Sequence, residues 1–197
     1  CDALVIAGVT AGMDRGDELP TFDEGTVVVV AYGESVEGER LARLAGARRK
    51  APVLVVDVAD AESAERALGE TVKRFGAIHV NVNTAGILAG AKIVSRGAPA
   101  PLELFERVIR VNLVGTFNVM RLAVAAMLRN ETEDGERGLV VNTASAAAYD
   151  GQAGQAAYSA SKAGVIGMTL PLARDLAASG VRVNAIAPGL FDTPMKD

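Results

Sequence analysis

Apolar and polar positions follow two rhythms along this chain. Six short runs are nearly continuous in Val, Ile, Leu and Ala: ALVIAG (3–8), TVVVVA (26–31), PVLVVDV (52–58), IHVNVN (78–83), GLVVNTAS (138–145) and VRVNAIAPG (181–189). Each has the length and β-branched content of a buried strand. Segments with helical spacing lie between most of them, at 35–50, 60–76, 102–130 and 155–180. Strands alternating with helices predict βαβ units, hence a parallel sheet covered on both faces by right-handed crossovers. The expected fold class is α/β, a doubly wound parallel sheet in three layers, as a single domain over residues 1–197. No repeat or linker interrupts it, and ETEDGERG (131–138) reads as a solvated loop before a strand.

The first crossover departs from this rhythm. MDRGDELPTFDEG (13–25) would place Gly16 and Pro20 inside any helix it formed. Proline alone costs about 3 kcal/mol in a helix interior, so an irregular or short helix is expected there.

Composition narrows the function classes. Hydrophobic residues make up 50% of the 197, aromatics only 4%, and tryptophan is absent. The core must therefore be built from Ala, Val, Leu and Ile, which suits helices packed on a buried sheet. A net charge of −4, with ARRK (47–50) the one basic run, argues against a nucleic-acid partner. A single cysteine, Cys1, excludes internal disulfides, and with a single histidine, His79, no metal site is expected. No apolar run approaches the ~20 residues of a membrane span, so no membrane partner is expected. The first residue is not Met and no signal-peptide pattern follows it, so the natural start is expected to lie elsewhere. A reducing, soluble compartment is expected: the cytoplasm, or the mitochondrial matrix in a eukaryotic source.

Chemistry concentrates in the last third. In QAAYSASKAGVIG, Tyr158 and Lys162 are four apart and share a helix face, with Cβ atoms ~5–6 Å apart. An ammonium beside a phenol favours the phenolate, which makes Tyr158 a candidate proton donor or acceptor for an alcohol or carbonyl oxygen. Ser145 stands at the carboxyl end of a strand, where α/β proteins place ligands, and its hydroxyl can hold the same oxygen. Asn112 is an amide in mid-helix among apolar residues and needs a buried partner. IAPGLFDTPM adds a Pro-Gly turn directly after a strand, where backbone can approach a ligand.

NTAG (83–86), VNLVGTFNV (111–119), VVNTASAAA (140–148), YSASK (158–162) and IAPGLFDTPM (186–195) together resemble the short-chain dehydrogenase/reductase superfamily. The resemblance runs from about Val53 to the last residue and implies a Rossmann-like, dinucleotide-binding domain. The stretch from Gly151 to Ala177 and the insertion AGAKIVSRGAPAPLELFERV (89–108) most resemble the 3-hydroxyacyl-CoA dehydrogenase type 2 group, also called 17β-hydroxysteroid dehydrogenase type 10. It implies Tyr158 as general acid/base, with Lys162 assisting it and binding the nicotinamide ribose. Ser145 would polarise the substrate oxygen, and Asn112, through a helix distortion and a bound water, would complete a proton relay to Lys162. Asp57 and Val58 match the adenine-binding pair, with capping of the next helix as the alternative for Asp57. Asn83, Ala85 and Gly86 match the segment after the fourth strand, and Pro188, Gly189 and Thr193 the nicotinamide end. The implied cofactor is NAD, the substrate an acyl-CoA or steroid-like alcohol or ketone, and the assembly a homo-oligomer, a tetramer in the family.

Two regions depart from the family pattern. Its phosphate loop, Thr-Gly-x-x-x-Gly-x-Gly, falls on IAGVTAGM (6–13), so the glycine positions hold Ala7, Ala11 and Met13. Sliding by one residue recovers Gly8 and Gly12, read equally as phosphate binders or plain turn residues, but brings Asp14 to the third position. A carboxylate there repels a pyrophosphate. The acid that holds the adenosine ribose is replaced by Ala31, and no arginine follows to suggest a 2′-phosphate. The chain stops soon after FDTPM, where the family continues with a helix and a last strand, so the domain is expected to be incomplete at its C-terminus. Two readings stay open: an NAD(H)-dependent oxidoreductase, or a cofactor-deficient relative serving as a partner subunit or inactive fragment.

Overall fold

The computed structural model describes residues 3–7, 27–31, 54 and 56–190. Five parallel strands form one sheet: β1 (Ala3–Ala7), β2 (Val27–Ala31), β3 (Val80–Asn83), β6 (Gly138–Thr143) and β7 (Val181–Ile186). Their order is β2-β1-β3-β6-β7. The chain steps from β1 outward to β2, then returns to the other side of β1 for β3. The order thus reverses beside β1, and the crevice at the carboxyl ends of β1 and β3 is where such sheets bind ligands. Register places Ala31, Ala7, Asn83, Asn142 and Ala185 in one row across the sheet, just inside that edge.

Helix α1 (Ala61–Phe75) follows directly from its sequence. Ala64, Ala67, Leu68 and Thr71 are buried at helical spacing, Asp60 caps the start by accepting from Ser63 N, and Gly76 ends it at φ 83°. Helix α2 (Leu102–Ile109), a π-helical stretch (Arg110–Gly115) and helix α3 (Thr116–Met127) run on as one rod. Helix α4 (Ala156–Leu176) continues into a 3-10 turn at Ala177–Ser179 and packs against β7, α2 and the π-helical stretch. The core, with Val56, Val58, Leu68, Ile78, Met120, Met127 and Val140 almost wholly buried, lies between α1, α3 and the sheet.

Three expectations need correcting. The strand foreseen over 52–58 is not formed at Leu54 or Val56–Val58. Val56 and Val58 are buried as a strand's would be, but backbone groups here bond to side chains instead. Ser63 Oγ accepts from Asp57 N (3.1 Å), and Asn118 Nδ2 donates to Val58 O (2.9 Å). Secondly, the rod 102–127 is long and apolar enough, by length and composition, to cross a membrane, although no such run was expected. Its charges crowd into the first turns, leaving Arg121 alone between residues 111 and 127. Half of its most apolar window is buried, as in a core helix. Thirdly, Asp60 rather than Asp57 caps α1.

The insertion at 89–108 contains a two-residue hairpin, β4 (Val94–Ser95) with β5 (Ala98–Pro99). Arg96 and Gly97 both have positive φ, the geometry that two-residue hairpins favour. The segments 35–50 and 13–25 lie outside the described residues, as do the site candidates Gly8, Gly12 and Thr193.

Candidate active site

The candidate residues come from three elements that meet beyond the carboxyl edge of the sheet: the end of β6, the first turns of α4 and the π-helical stretch. Tyr158 and Lys162 share a face of α4, with Lys162 Nζ 5.8 Å from the phenol ring centroid. Lys162 is only 4% exposed. Its ammonium donates to Thr143 O at 2.7 Å, the last carbonyl of β6. Burial pushes Lys162 down from the usual lysine value to about 8. This side chain therefore stays mainly charged at pH 7 and sheds its proton around pH 8.

Ser145 follows β6 by two residues. Its Oγ accepts from Ala147 N at 3.1 Å, which caps the short helical turn Ala146–Ala148 and leaves the hydroxyl proton free to donate elsewhere. The Pro-Gly turn is tied to this loop, because Ala144 N donates to Ile186 O (2.7 Å) and Ala146 N to Pro188 O (2.9 Å). Gly189 has open space where a side chain would stand.

Asn112 is fully buried in the π-helical stretch. Its Oδ1 accepts from Ile87 N (2.8 Å), and its Nδ2 donates to Ile87 O (3.0 Å) and to Ser161 Oγ (3.0 Å). Ser161 Oγ in turn donates to Tyr158 O at 2.7 Å. The amide thus fastens the loop after β3 to the helix that carries Tyr158. The expected helix distortion is present. The carbonyl of Asn112 accepts from Thr116 Oγ1 at 2.7 Å, a bond that helical spacing alone does not announce.

Gly86 shows how tightly these groups converge. A Cβ there would stand 3.3 Å from Asn112 Oδ1 and 3.5 Å from Lys162 Nζ. Ala85 is buried beside it. Asn83, a cofactor candidate, spends its amide inside the sheet: Nδ2 donates to Asn142 Oδ1 (2.8 Å) and Asn81 Oδ1 (2.7 Å). That buried amide cluster, with Asn142 Nδ2 reaching Met120 Sδ, braces the carboxyl edge. Asp57 Oδ1 accepts from Ala59 N at 2.9 Å, shaping a turn, and Val58 is 1% exposed.

Sequence reasoning did not single out Thr143, Ser161, Ile87 or Asn118. Ser161, a polar residue three after Tyr158 and so on its face of the helix, was the one detectable signal. Leu88, Lys92 and Gln155 help line an open hollow of about 320 Å³ at the start of α4. Two loops cross there, with Ala91 N donating to Gly154 O at 2.9 Å, and a Cβ on Gly90 would come within 3.0 Å of that oxygen.

The sequence pattern of the family described as short chain dehydrogenase matches residues 3–197. The chain belongs to the short-chain dehydrogenase family. It is 44% identical over 194 residues to the 3-hydroxyacyl-CoA dehydrogenase type-2 of Drosophila melanogaster, covering 97% of this chain and 75% of that one. It is 43% identical to the Homo sapiens protein of the same name, over 97% of this chain and 74% of that one. A 3-oxoacyl-[acyl-carrier-protein] reductase from Thermotoga maritima is 35% identical, over 98% and 75%. Among solved structures, the 3-hydroxyacyl-CoA dehydrogenase type-2 from Mycobacterium avium superposes with a TM-score of 0.82 at 35% identity, over 100% of this chain and 76% of that one. This short-chain dehydrogenase is accordingly an oxidoreductase with the Rossmann-like fold, of a family that uses nicotinamide dinucleotides. The described residues fit such a cofactor. Gly189 leaves open space where a side chain would stand, and the buried Thr143 Oγ1 has no hydrogen-bond partner among the described residues.

Proposed function

We propose that this chain interconverts a secondary alcohol and a ketone with NAD(H), acting on a 3-hydroxyacyl-CoA or a hydroxysteroid. The observation that carries the reading is the single face of α4 on which Tyr158 and the buried Lys162 stand, next to the end of β6 and its Ser145. The cofactor, when bound, supplies or accepts the hydride. Ser145 Oγ donates to the substrate oxygen and orients it. Tyr158 Oη gives that oxygen a proton in the reducing direction and takes it back in the oxidising one. Lys162 keeps positive charge near the phenol and offers its remaining protons to the nicotinamide ribose. Asn112 holds this arrangement still through Ile87 and Ser161. Asp57 and Val58 receive the adenine, while Asn83, Ala85 and Gly86 border the path between the two ends. Pro188 and Gly189 border the nicotinamide, with Thr193, Gly8 and Gly12 completing the contacts from segments outside the described residues. The rod 102–127 exposes Leu102, Phe105, Val114 and Phe117, and α4 exposes Leu170, an apolar surface suited to covering by a second copy.

One observation favours the other reading, a cofactor-deficient relative. The sequence has Ala31 where the family has its ribose-binding acid, in backbone register with Ala7 at the carboxyl end of β1. Titration with NADH, followed by nicotinamide fluorescence with NADPH as comparison, separates the two. Saturable binding of NADH, with turnover of a 3-hydroxyacyl-CoA that falls by about 10²-fold or more in Tyr158→Phe, supports the enzyme. No binding at millimolar NADH supports the deficient relative.

A further inference from the structure

We propose that Asn118, oriented by Arg121, is a positioning residue for the adenine half of the dinucleotide. The inference rests on the reading above that Asp57 and Val58 face the adenine. The turn they form has no strand ladder at Val56–Val58 to hold it. Among the described residues the turn is held by Ala59 N to Asp57 Oδ1, Asp60 N to Asp57 O (3.2 Å) and, from α1, Ser63 Oγ accepting from Asp57 N. Val58 is buried as a whole residue while Asp57 is half-buried, so the placement of this turn decides what an adenine would meet.

Besides Ser63 of α1, helix α3 grips the main chain of this turn. Asn118, in the first turn of α3 and 7% exposed, donates through Nδ2 to Val58 O at 2.9 Å and to Asp60 O at 3.2 Å. Its Oδ1 accepts from Arg121 Nε (3.0 Å) and Nη2 (2.8 Å). The two-pronged guanidinium occupies the oxygen, so the amide nitrogen must face the turn. Less than one turn earlier, Gly115 lies against Val58, and a Cβ there would come within 2.6 Å of Val58 Cγ2. The contact is close enough that the turn cannot settle nearer the helix. Asn112, six residues before Asn118, fastens the same rod to the helix of Tyr158 and Lys162. Six helical residues span about 9 Å. One rigid segment therefore sets the separation of the adenine pair from the catalytic helix, and cofactor binding uses that preset spacing rather than creating it.

The test compares NADH with reduced nicotinamide mononucleotide, which lacks the adenylate half and so does not reach residues 57–58. Wild type should bind NADH far more tightly than the mononucleotide. Asn118→Asp removes both donated bonds and turns a carboxylate towards two carbonyls, and should weaken NADH about tenfold or more. Arg121→Leu, a change at the surface, should weaken NADH about threefold by freeing the amide to turn. In both variants the dissociation constant of the mononucleotide should move by less than about twofold, whereas general loosening of the fold would weaken both ligands alike. Thermal melts identify folded variants, and Arg121→Leu decides if Asn118→Asp does not fold. Folded variants that keep the wild-type ratio of the two affinities overturn the inference. A wild-type chain that binds both ligands equally overturns it together with the adenine role of Asp57 and Val58. A chain that binds neither refutes the enzyme reading and the inference with it.

Discussion

Burying a lysine ammonium with no carboxylate partner among the described residues should leave a mark on stability, and Lys162 offers a clean measurement. Its side chain is 4% exposed, and desolvation lowers it from 10.5 to about 8. Below about pH 8 both the folded and unfolded chains carry this proton, and the fold bears the whole cost of burying the charge. Between pH 8 and 10.5 the unfolded chain keeps the proton while the folded chain sheds it, so stability rises with pH through this window. Above it both forms are neutral and the cost is gone. At about 1.4 kcal/mol for each tenfold in the proton equilibrium, the gain across the window is roughly 3 kcal/mol. Lys162→Met keeps the unbranched stem, removes the charge and leaves Thr143 O without its donor, which costs about 1 kcal/mol. The variant should therefore be about 2 kcal/mol more stable than wild type at pH 7 and about 1 kcal/mol less stable near pH 10.5. Urea unfolding at several pH values reads the difference directly, since all other titrating groups cancel. A difference that stays constant with pH would refute the reasoning, as would a variant less stable at pH 7.

Two further outcomes follow from the same structure. Asn112→Leu should cost about 3 kcal/mol, because it unpairs the part-buried amide and carbonyl of Ile87 and removes the bond that Ser161 Oγ accepts. Hydrogen exchange at the Ile87 amide is the check, and unchanged protection would show that Asn112 does not hold that loop. Gly180 ends the turn before β7 at φ +70°, and a Cβ there would be driven into the Gly135 carbonyl oxygen. Gly180→Ala should lower stability by about 2 kcal/mol or more, or roughly 4–8 °C in Tm, and a fall under about 2 °C would contradict it.

The sequence alone determined what local rules control. Alternation of apolar runs with helical spacing identified the strand–helix order β1, β2, α1, β3, β6, α4 and β7, because burial periodicity acts over a few residues. Tyr158, Lys162, Ser145 and Asn112 were legible for a similar reason: a four-residue helical spacing, a strand end and a polar residue in an apolar helix each leave a local trace. The strand foreseen over 52–58 is not formed at Leu54 or Val56–Val58, because pairing depends on which neighbours the fold brings alongside, and side chains of Ser63 and Asn118 take backbone groups at Asp57 and Val58. Contacts between residues far apart in the chain were invisible to any local rule. Lys162 reaches Thr143 across 19 positions, Asn112 reaches Ser161 across 49, and Asn118 reaches Val58 across 60. A one-dimensional pattern records whether a side chain is buried, but not which buried group completes its hydrogen bond. The tertiary structure decided those pairings, and with them the burial that lowers Lys162 to about 8 and the rod that holds the turn at 57–60.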